Sequence, residues 1–283
     1  MALRIITDSS CDQPFSIQKD WNIDILSFHV LFGDNEYIDG QNLNRQQFYR
    51  MMSESPTLPK TAQISPYEFK EVFNPYVQAG DEILVLPISK EMSGTYNGAL
   101  LAKASYTDAS IHVVDTLNVT FALALLVEVA VKLRDEGLDA KSIVEKIDEL
   151  KKRIRLYAVI DDLKYLKMGG RLSSAGAAVG TLLNIKPIIS VVGGKVVGID
   201  KARGQKAGYQ SIINYAKKDG IDNSYPVYFG HSNYPDAMDK LKILAGEQLK
   251  MNETRSADIG PVVGTHAGPG AVGLAFISAP SSN

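Results

Sequence analysis

Cysteine occurs once in the 283 residues, at Cys11, so neither an internal disulfide nor a cysteine-rich metal cluster can form. Histidine is scarce too: His29, His112, His231 and His266 are scattered without the spacing of a metal-ligand set. Neither sign of charge dominates. Thirty Lys and Arg against 32 Asp and Glu leave a net charge of −2, which gives no overall attraction to nucleic acid or to an anionic membrane. Any anion site must be built locally. Long apolar runs are missing as well. Met1 to Asp8 lacks the apolar region of a signal peptide, and the longest strongly apolar run, Phe121 to Val127, ends at Glu128, well short of a bilayer span. No stable membrane anchor and a cytoplasmic location are the expectation. No Walker A phosphate loop is present: the nearest approach, Gly180 to Lys186, is followed by Pro187 instead of a hydroxyl residue.

Apolar residues make up 45% and charged residues 22%, the balance of a globular chain long enough for one large or two ordinary domains. Leu3 to Thr7 reads as a strand opening into the cap and turn residues Asp8 to Asp12. Ile23 to Phe32 reads as a strand or hairpin, and Arg45 to Met52 as a short helix before a loop with two prolines. Ser65-Pro66-Tyr67-Glu68 is a capping box, followed by Phe69, Val72, Phe73 and Tyr76 at helical spacing. Strand Glu82 to Ile88, a helix to about Tyr106, strand Ile111 to Asp115 and helices Leu117 to Arg134 and Asp139 to Arg153 continue the alternation. Ile143, Ile147, Leu150 and Ile154 are expected to face inward from the last of these helices. In the second half, Gly193-Gly194 joins two strands as a hairpin. Helix Gln205 to Lys218, strand Val227 to His231 and helix Asp236 to Leu249 follow. The pattern predicts an α/β protein of two domains. Residues 1–154 would hold a mostly parallel α/β/α sheet, and residues 155–283 an α/β domain with a mixed sheet.

Most unusual is Gly264-Thr265-His266-Ala267-Gly268-Pro269-Gly270, whose three glycines suggest a sharp turn or close approach with an imidazole held in it. A tight turn before a buried strand, with His266 bonded to backbone, is the alternative. Gly268, Gly270 and Gly273 satisfy G-x-G-x-x-G, but Leu274 to Ile277 reads as strand and no βαβ unit can follow, so the dinucleotide reading is rejected. Ser93-Gly94-Thr95 follows a strand and opens a helix, where free N–H groups favour an anion; a plain Ser cap is the alternative. Thr61 is a second loop hydroxyl. Arg171, after Gly169-Gly170, suits a carboxylate or phosphate, or is a solvated charge; a mobile surface position is expected for it. An acyl hydrolase using Ser93 and His266 is the competing enzyme reading, although no Gly-x-Ser-x-Gly elbow surrounds Ser93.

Several segments, in order, resemble the DegV family, which includes the fatty-acid-binding subunits of bacterial fatty acid kinase. They are Thr7-Asp8-Ser9-Ser10, Thr61-Ala62-Gln63, Ser93-Gly94-Thr95-Tyr96, Asp162 to Arg171, Ile259-Gly260-Pro261 and Gly264 to Gly270. The resemblance spans essentially the whole chain. It implies two α/β domains enclosing a long-chain fatty acid in a tunnel between them. It also implies a separate kinase catalytic subunit that phosphorylates the bound carboxylate, and no cofactor beyond the lipid. Thr61, Ser93, the Gly94 backbone and His266 match the family's head-group residues, and Arg171 the arginine beside the tunnel mouth. Two departures are visible. Ala62 stands where the family often has Ser, and Thr116-Leu117-Asn118 follows Asp115 where Asp-Ser is more usual.

Overall fold

The computed structural model describes residues 2–173 and 184–280, so Gly180 to Leu183 of the loose phosphate-loop match lie outside the described residues. Its first half runs β1 (Leu3–Asp8), α1 (Ile17–Trp21), β2 (Ile23–Leu26), β3 (His29–Phe32), β4 (Asn35–Ile38), α2 (Arg45–Glu54) and β5 (Lys60–Ala62). It continues through α3 (Pro66–Gln78), β6 (Glu82–Leu86), α4 (Thr95–Lys103), β7 (Ile111–Val113), α5 (Thr120–Asp135) and α6 (Ala140–Leu150). The second half comprises β8 (Ile154–Val159), α7 (Lys164–Met168), β9 (Ile185–Val192), β10 (Lys195–Arg203), α8 (Gln205–Asp219), β11 (Val227–His231), α9 (Pro235–Gly246), β12 (Thr254–Asp258), α10 (Pro261–Ala267) and β13 (Val272–Ile277).

Strands β2-β1-β6-β7 form a wholly parallel sheet. Ile5, Ile6 and Ile83 to Leu86 are completely buried, as unbroken apolar strands covered on both faces must be. The second sheet, β10-β9-β8-β13-β11-β12, is mixed: β11 and β12 run parallel and the other pairs antiparallel. Gly193 (φ 56) and Gly194 (φ 82) both take the left-handed backbone that a tight two-residue hairpin requires. The α/β class and the parallel and mixed sheets agree with the sequence reading.

Several local expectations need correction. Ile23 to Phe32 is two strands in two sheets, although the hairpin reading holds for its end, where Gly33-Asp34 turns β3 back into β4. Phe28 gives its N–H to Ser9 Oγ and its carbonyl to the Asp39 N–H, which carries the chain out of the parallel sheet. The proline-punctuated loop ends in β5, which pairs with β3 and completes a third, antiparallel sheet, β4-β3-β5. Helix α5 starts at Thr120 instead of Leu117. Leu117 and Thr120 both have φ 55, and Asp115 Oδ1 accepts the Leu117 N–H, so the intervening residues form a polar turn. Ile154 is buried but opens β8, because α6 ends at Leu150.

In the glycine-rich stretch the expected turn and close approaches are both present, but its first half is helical. Gly264 to Ala267 form the end of helix α10, and the turn is confined to Gly268-Pro269-Gly270. Gly264 is tolerated inside the helix because α2 packs against it: an added Cβ would lie 2.7 Å from the Tyr49 hydroxyl and 2.8 Å from Phe48. Gly268 (φ 71) lies against the Tyr165 ring, where no side chain fits. The capping box Ser65/Glu68 is formed as expected, and Asn44/Gln47 form a second one at α2.

Helix α5 lies between the two large sheets and touches β1 on one side and β8, β11 and β13 on the other. Its Phe121 ring fills the space above Gly230, and one continuous apolar cluster runs from Ile5 through α5 to Leu156, Tyr228 and Ala275. No helix among the described residues is long and apolar enough to cross a membrane.

Candidate functional site

Where α5 meets the two large sheets, the core opens into a cavity of about 190 Å³. Its walls are mostly apolar. Ile88 and Met92 follow β6, Val119 and Phe121 belong to the start of α5, and Leu156, Ala158 and Ile160 come from β8 and its end. Ile189, Val191 and Val196 come from the hairpin, and Val262 and Val263 from α10. The polar lining is Thr61, Gln63, Ser93, Gly94, Thr120, Arg171 and His266. All five residues singled out in the sequence therefore border one cavity, although they come from four separate stretches of chain.

Thr61 occupies the middle of β5. Strand alternation turns Thr61 and Gln63 toward the cavity and leaves Ala62, between them, exposed and outside the lining. A hydroxyl at position 62 would lie on this exposed side, outside the cavity lining. Thr61 Oγ1 lies 3.1 Å from His266 Nε2. On the other side of the imidazole, Nδ1 is buried with no hydrogen-bond partner and faces Gly169, where an added Cβ would come within 2.2 Å. Only glycine admits the ring there. Burial and the nearby Arg171 charge push the His266 pKa down to about 4, so the ring is neutral near pH 7.

Ser93 realises part of the capping alternative. Its Oγ accepts the Thr95 N–H at 3.3 Å and lies 3.0 Å from Thr95 Oγ1, while it also borders the cavity. Gly94 is the N-cap of α4 and has no side chain to occupy the helix end. Its missing Cβ is needed, because Gln63 Oε1 lies 1.8 Å from where that atom would be.

Arg171 is not the mobile surface residue expected. Helix α7 closes with Gly170 at φ 68, and the Arg171 N–H bonds back to the Leu166 carbonyl, which turns the side chain inward. There Nε donates to the Met92 carbonyl at 3.1 Å and Nη1 to the Gly169 carbonyl at 2.6 Å, leaving the guanidinium in the cavity wall. Among the described residues, no carboxylate pairs with it.

The hydrolase arrangement is not formed. His266 Nε2 faces Thr61, its Nδ1 has no carboxylate to orient it, and a pKa of about 4 makes it a poor general base at neutral pH. The rejected dinucleotide motif ends in strand, since Gly273 is inside β13 with the Tyr157 carbonyl against it. No group of three or more potential metal ligands occurs among the described residues. Sequence reasoning missed Gln63 as a lining residue, although its place two positions after Thr61 carried the signal once β5 was known. The apolar walls were not identifiable, because they are shared out among strands and helices that otherwise read as core.

Comparison with known proteins adds a consistent set of relatives. Residues 2–279 match the family model described as "Uncharacterised protein, DegV family". A DegV domain-containing protein of Caldanaerobacter subterraneus is 33% identical over 97% of this chain and 98% of its own length. A protein of Thermotoga maritima named fatty acid-binding protein is 30% identical over 97% of each chain. Among solved structures, a DegV lipid-binding protein of Thermotoga maritima superposes with a TM-score of 0.89 at 28% identity, covering 98% of this chain and 99% of its own. A stearic acid-binding protein of Eubacterium ventriosum gives a TM-score of 0.89 at 28% identity and 98% coverage of both.

Proposed function

This chain belongs to the DegV family, and from that premise we propose that it binds one long-chain fatty acid and presents its carboxylate to a partner kinase. In this reading residues 1–154 and 155–283 act as two domains enclosing the ligand in a tunnel, with the cavity as its inner part. The observation that carries the reading is the meeting of Thr61, Ser93, Gly94, Arg171 and His266 at an otherwise apolar cavity.

The physical chemistry of such a ligand suits these walls. Burying a CH₂ group contributes roughly 0.8 kcal/mol, so a tail of about fifteen carbons supplies on the order of 12 kcal/mol before binding costs. A carboxylate taken out of water needs donors. The Ser93 and Thr61 hydroxyls, the N–H groups opening α4, a neutral His266 and the Arg171 guanidinium would supply them. The tail gives affinity and the head fixes orientation.

Phosphorylation would then be the kinase's chemistry. A carboxylate oxygen attacks the γ-phosphorus of ATP, ADP leaves, and an acyl phosphate remains on the lipid; this chain holds and orients the nucleophile. Such a role belongs in the cytoplasm, where ATP is available. The test is mass spectrometry of solvent extracts from freshly purified, denatured protein made in bacteria. About one fatty acid per chain is expected. Correctly folded protein that yields no acyl chain would overturn the reading.

A further inference from the structure

Asp12 lies outside the cavity wall, yet its carboxylate joins the two helices that form much of it. It ends the 3-10 turn Ser9–Cys11 in a left-handed conformation (φ 56) and is 1% exposed. Oδ1 accepts the N–H of Gly260 at 2.8 Å, and Oδ2 accepts the Thr120 hydroxyl at 2.5 Å. The Asp12 carbonyl in turn accepts Arg45 Nη2 at 2.9 Å.

Both donors stand at helix starts. Thr120 is the first residue of α5 and itself borders the cavity; Gly260 is the N-cap of α10 and has no side chain with which to anchor that helix. Phe121 on α5 and Val262, Val263 and His266 on α10 line the cavity downstream of these two points. One carboxylate bonded to both helix starts sets their separation. Because α10 is only seven residues long, its orientation at Gly260 decides where His266, in its last turn, meets Thr61.

We infer that Asp12 is a positioning residue for the head-group site: as a double acceptor it holds α10 against α5 so that His266 reaches the ligand carboxylate. This rests on the fatty-acid reading above.

The groups around Asp12 make the link sensitive to protons. Asp39, from the turn after β4, and Arg45, from α2, converge with Asp12 on the space that a side chain at Gly260 would fill, and the Arg45 charge partly offsets both carboxylates. Asp8 and Cys11 lie beside Asp12 on its own segment. On the facing side Tyr49 donates to the Ile259 carbonyl at 2.9 Å, and His231 lies 3.5 Å from Asp258. Burial pushes Asp12 up to about 7 and Asp39 and Asp8 up to about 6. Protonated on Oδ2, Asp12 would donate to the Thr120 hydroxyl while Oδ1 keeps the Gly260 N–H, so both bonds persist but change from charge-assisted to neutral. That weaker link should loosen α10 and weaken fatty acid binding as the pH falls through about 7.

The test uses the full chain, delipidated and titrated with a fluorescent fatty acid at about pH 6 and about pH 8. In parallel, ¹⁵N spectra of labelled histidine report the His266 ring. Asp12→Asn should bind about tenfold more weakly at the higher pH, lose most of the wild-type pH dependence and shift the His266 signals. Ser93→Ala should weaken binding but keep the pH dependence, and Asp39→Asn should keep it as well. If Asp12→Asn does not fold, Thr120→Val, which removes one of the two bonds and leaves the carboxylate, should move the His266 signals in the same way. Wild-type affinity with unmoved His266 signals in Asp12→Asn would overturn the inference, as would loss of the pH dependence in Asp39→Asn alone. A wild-type protein that binds no fatty acid at either pH would instead overturn the functional reading, while the His266 signals still decide the role of Asp12.

Discussion

Between Thr61 Oγ1 and the Cα of Gly169 the His266 ring has one hydrogen-bonding side and one that is only packed. Gly169→Ala should therefore push the ring from its place and weaken fatty acid binding, with little effect on secondary structure by circular dichroism. The Ser93→Ala, Thr61→Val double variant removes two donors to a charged partner and should lose roughly 1–3 kcal/mol or more of binding free energy by calorimetric titration. Unchanged affinity would remove these hydroxyls from the account. Arg171 contributes to the low His266 pKa and forms part of the wall. Arg171→Ala should raise the His266 pKa above about 4, as followed by NMR, and should reduce lipid retention as well as any acyl phosphate formed with a kinase and ATP. Full lipid retention would return Arg171 to a role in presentation alone.

Helix α10 shows how packing can reverse a local preference. Replacing an interior helical glycine by alanine ordinarily stabilises by up to about 1 kcal/mol. At Gly264 the added methyl meets the Tyr49 hydroxyl and the Phe48 ring at 2.7–2.8 Å, and overpacking of that kind costs about 1–3 kcal/mol. Gly264→Ala should therefore lower the thermal midpoint by calorimetry; an increase would mean that α2 yields freely. The β3–β4 hairpin makes a second, pH-dependent contact. His29 Nδ1 lies 2.6 Å from Glu36 on β4, and Nε2 lies 3.0 Å from Glu68 on α3. Burial opposes protonation, but the two carboxylates outweigh it and raise the His29 pKa above its ordinary 6.5. The folded state thus holds this proton more tightly than the unfolded chain. The stabilisation is complete below pH 6.5 and is lost as the pH rises through the raised folded value. Denaturant unfolding of wild type and His29→Gln should differ more at acidic than at alkaline pH, and equal differences would remove the ion pairs as a source of stability.

At the scale of the whole molecule, α5 binds the two halves into one core. Phe121 to Val127, Val129, Ala130 and Val131 are all buried, on one side against β1 and on the other against β8, β11 and β13. A chain ending at residue 154 would expose the second side of α5 to water. It should bind a hydrophobic dye and fail to unfold cooperatively, whereas the full chain should show one thermal transition. Fatty acid at a hundredfold excess over its dissociation constant should stabilise the full chain by about 2.7 kcal/mol. A fragment with native-like cooperative unfolding would mean that the halves do not depend on each other.

What the sequence determined by itself was whatever depends on near neighbours. The Ser65/Glu68 capping box, the Gly193-Gly194 hairpin, the strand Val227–His231 and the alternation that predicts an α/β chain are set by residues within a few positions of one another. The site residues were legible as types and motifs, since Ser93-Gly94 at a helix start and His266 among glycines are local patterns. Tertiary structure decided everything that joins distant segments. Strand β5 is three residues with little propensity of its own and exists through pairing with β3. Gly264 reads as turn or close approach alike until the Tyr49 and Phe48 rings show which, and why a helix must lack a side chain there. Arg171 follows two glycines that suggest mobility, yet the carbonyls of Met92 and Gly169 hold it inward. Thr61 and His266 are 205 residues apart in the chain, and Asp12 and Gly260 are 248 apart. Local propensity cannot encode such pairings, because they form only when the burial of α5 draws both halves around one core.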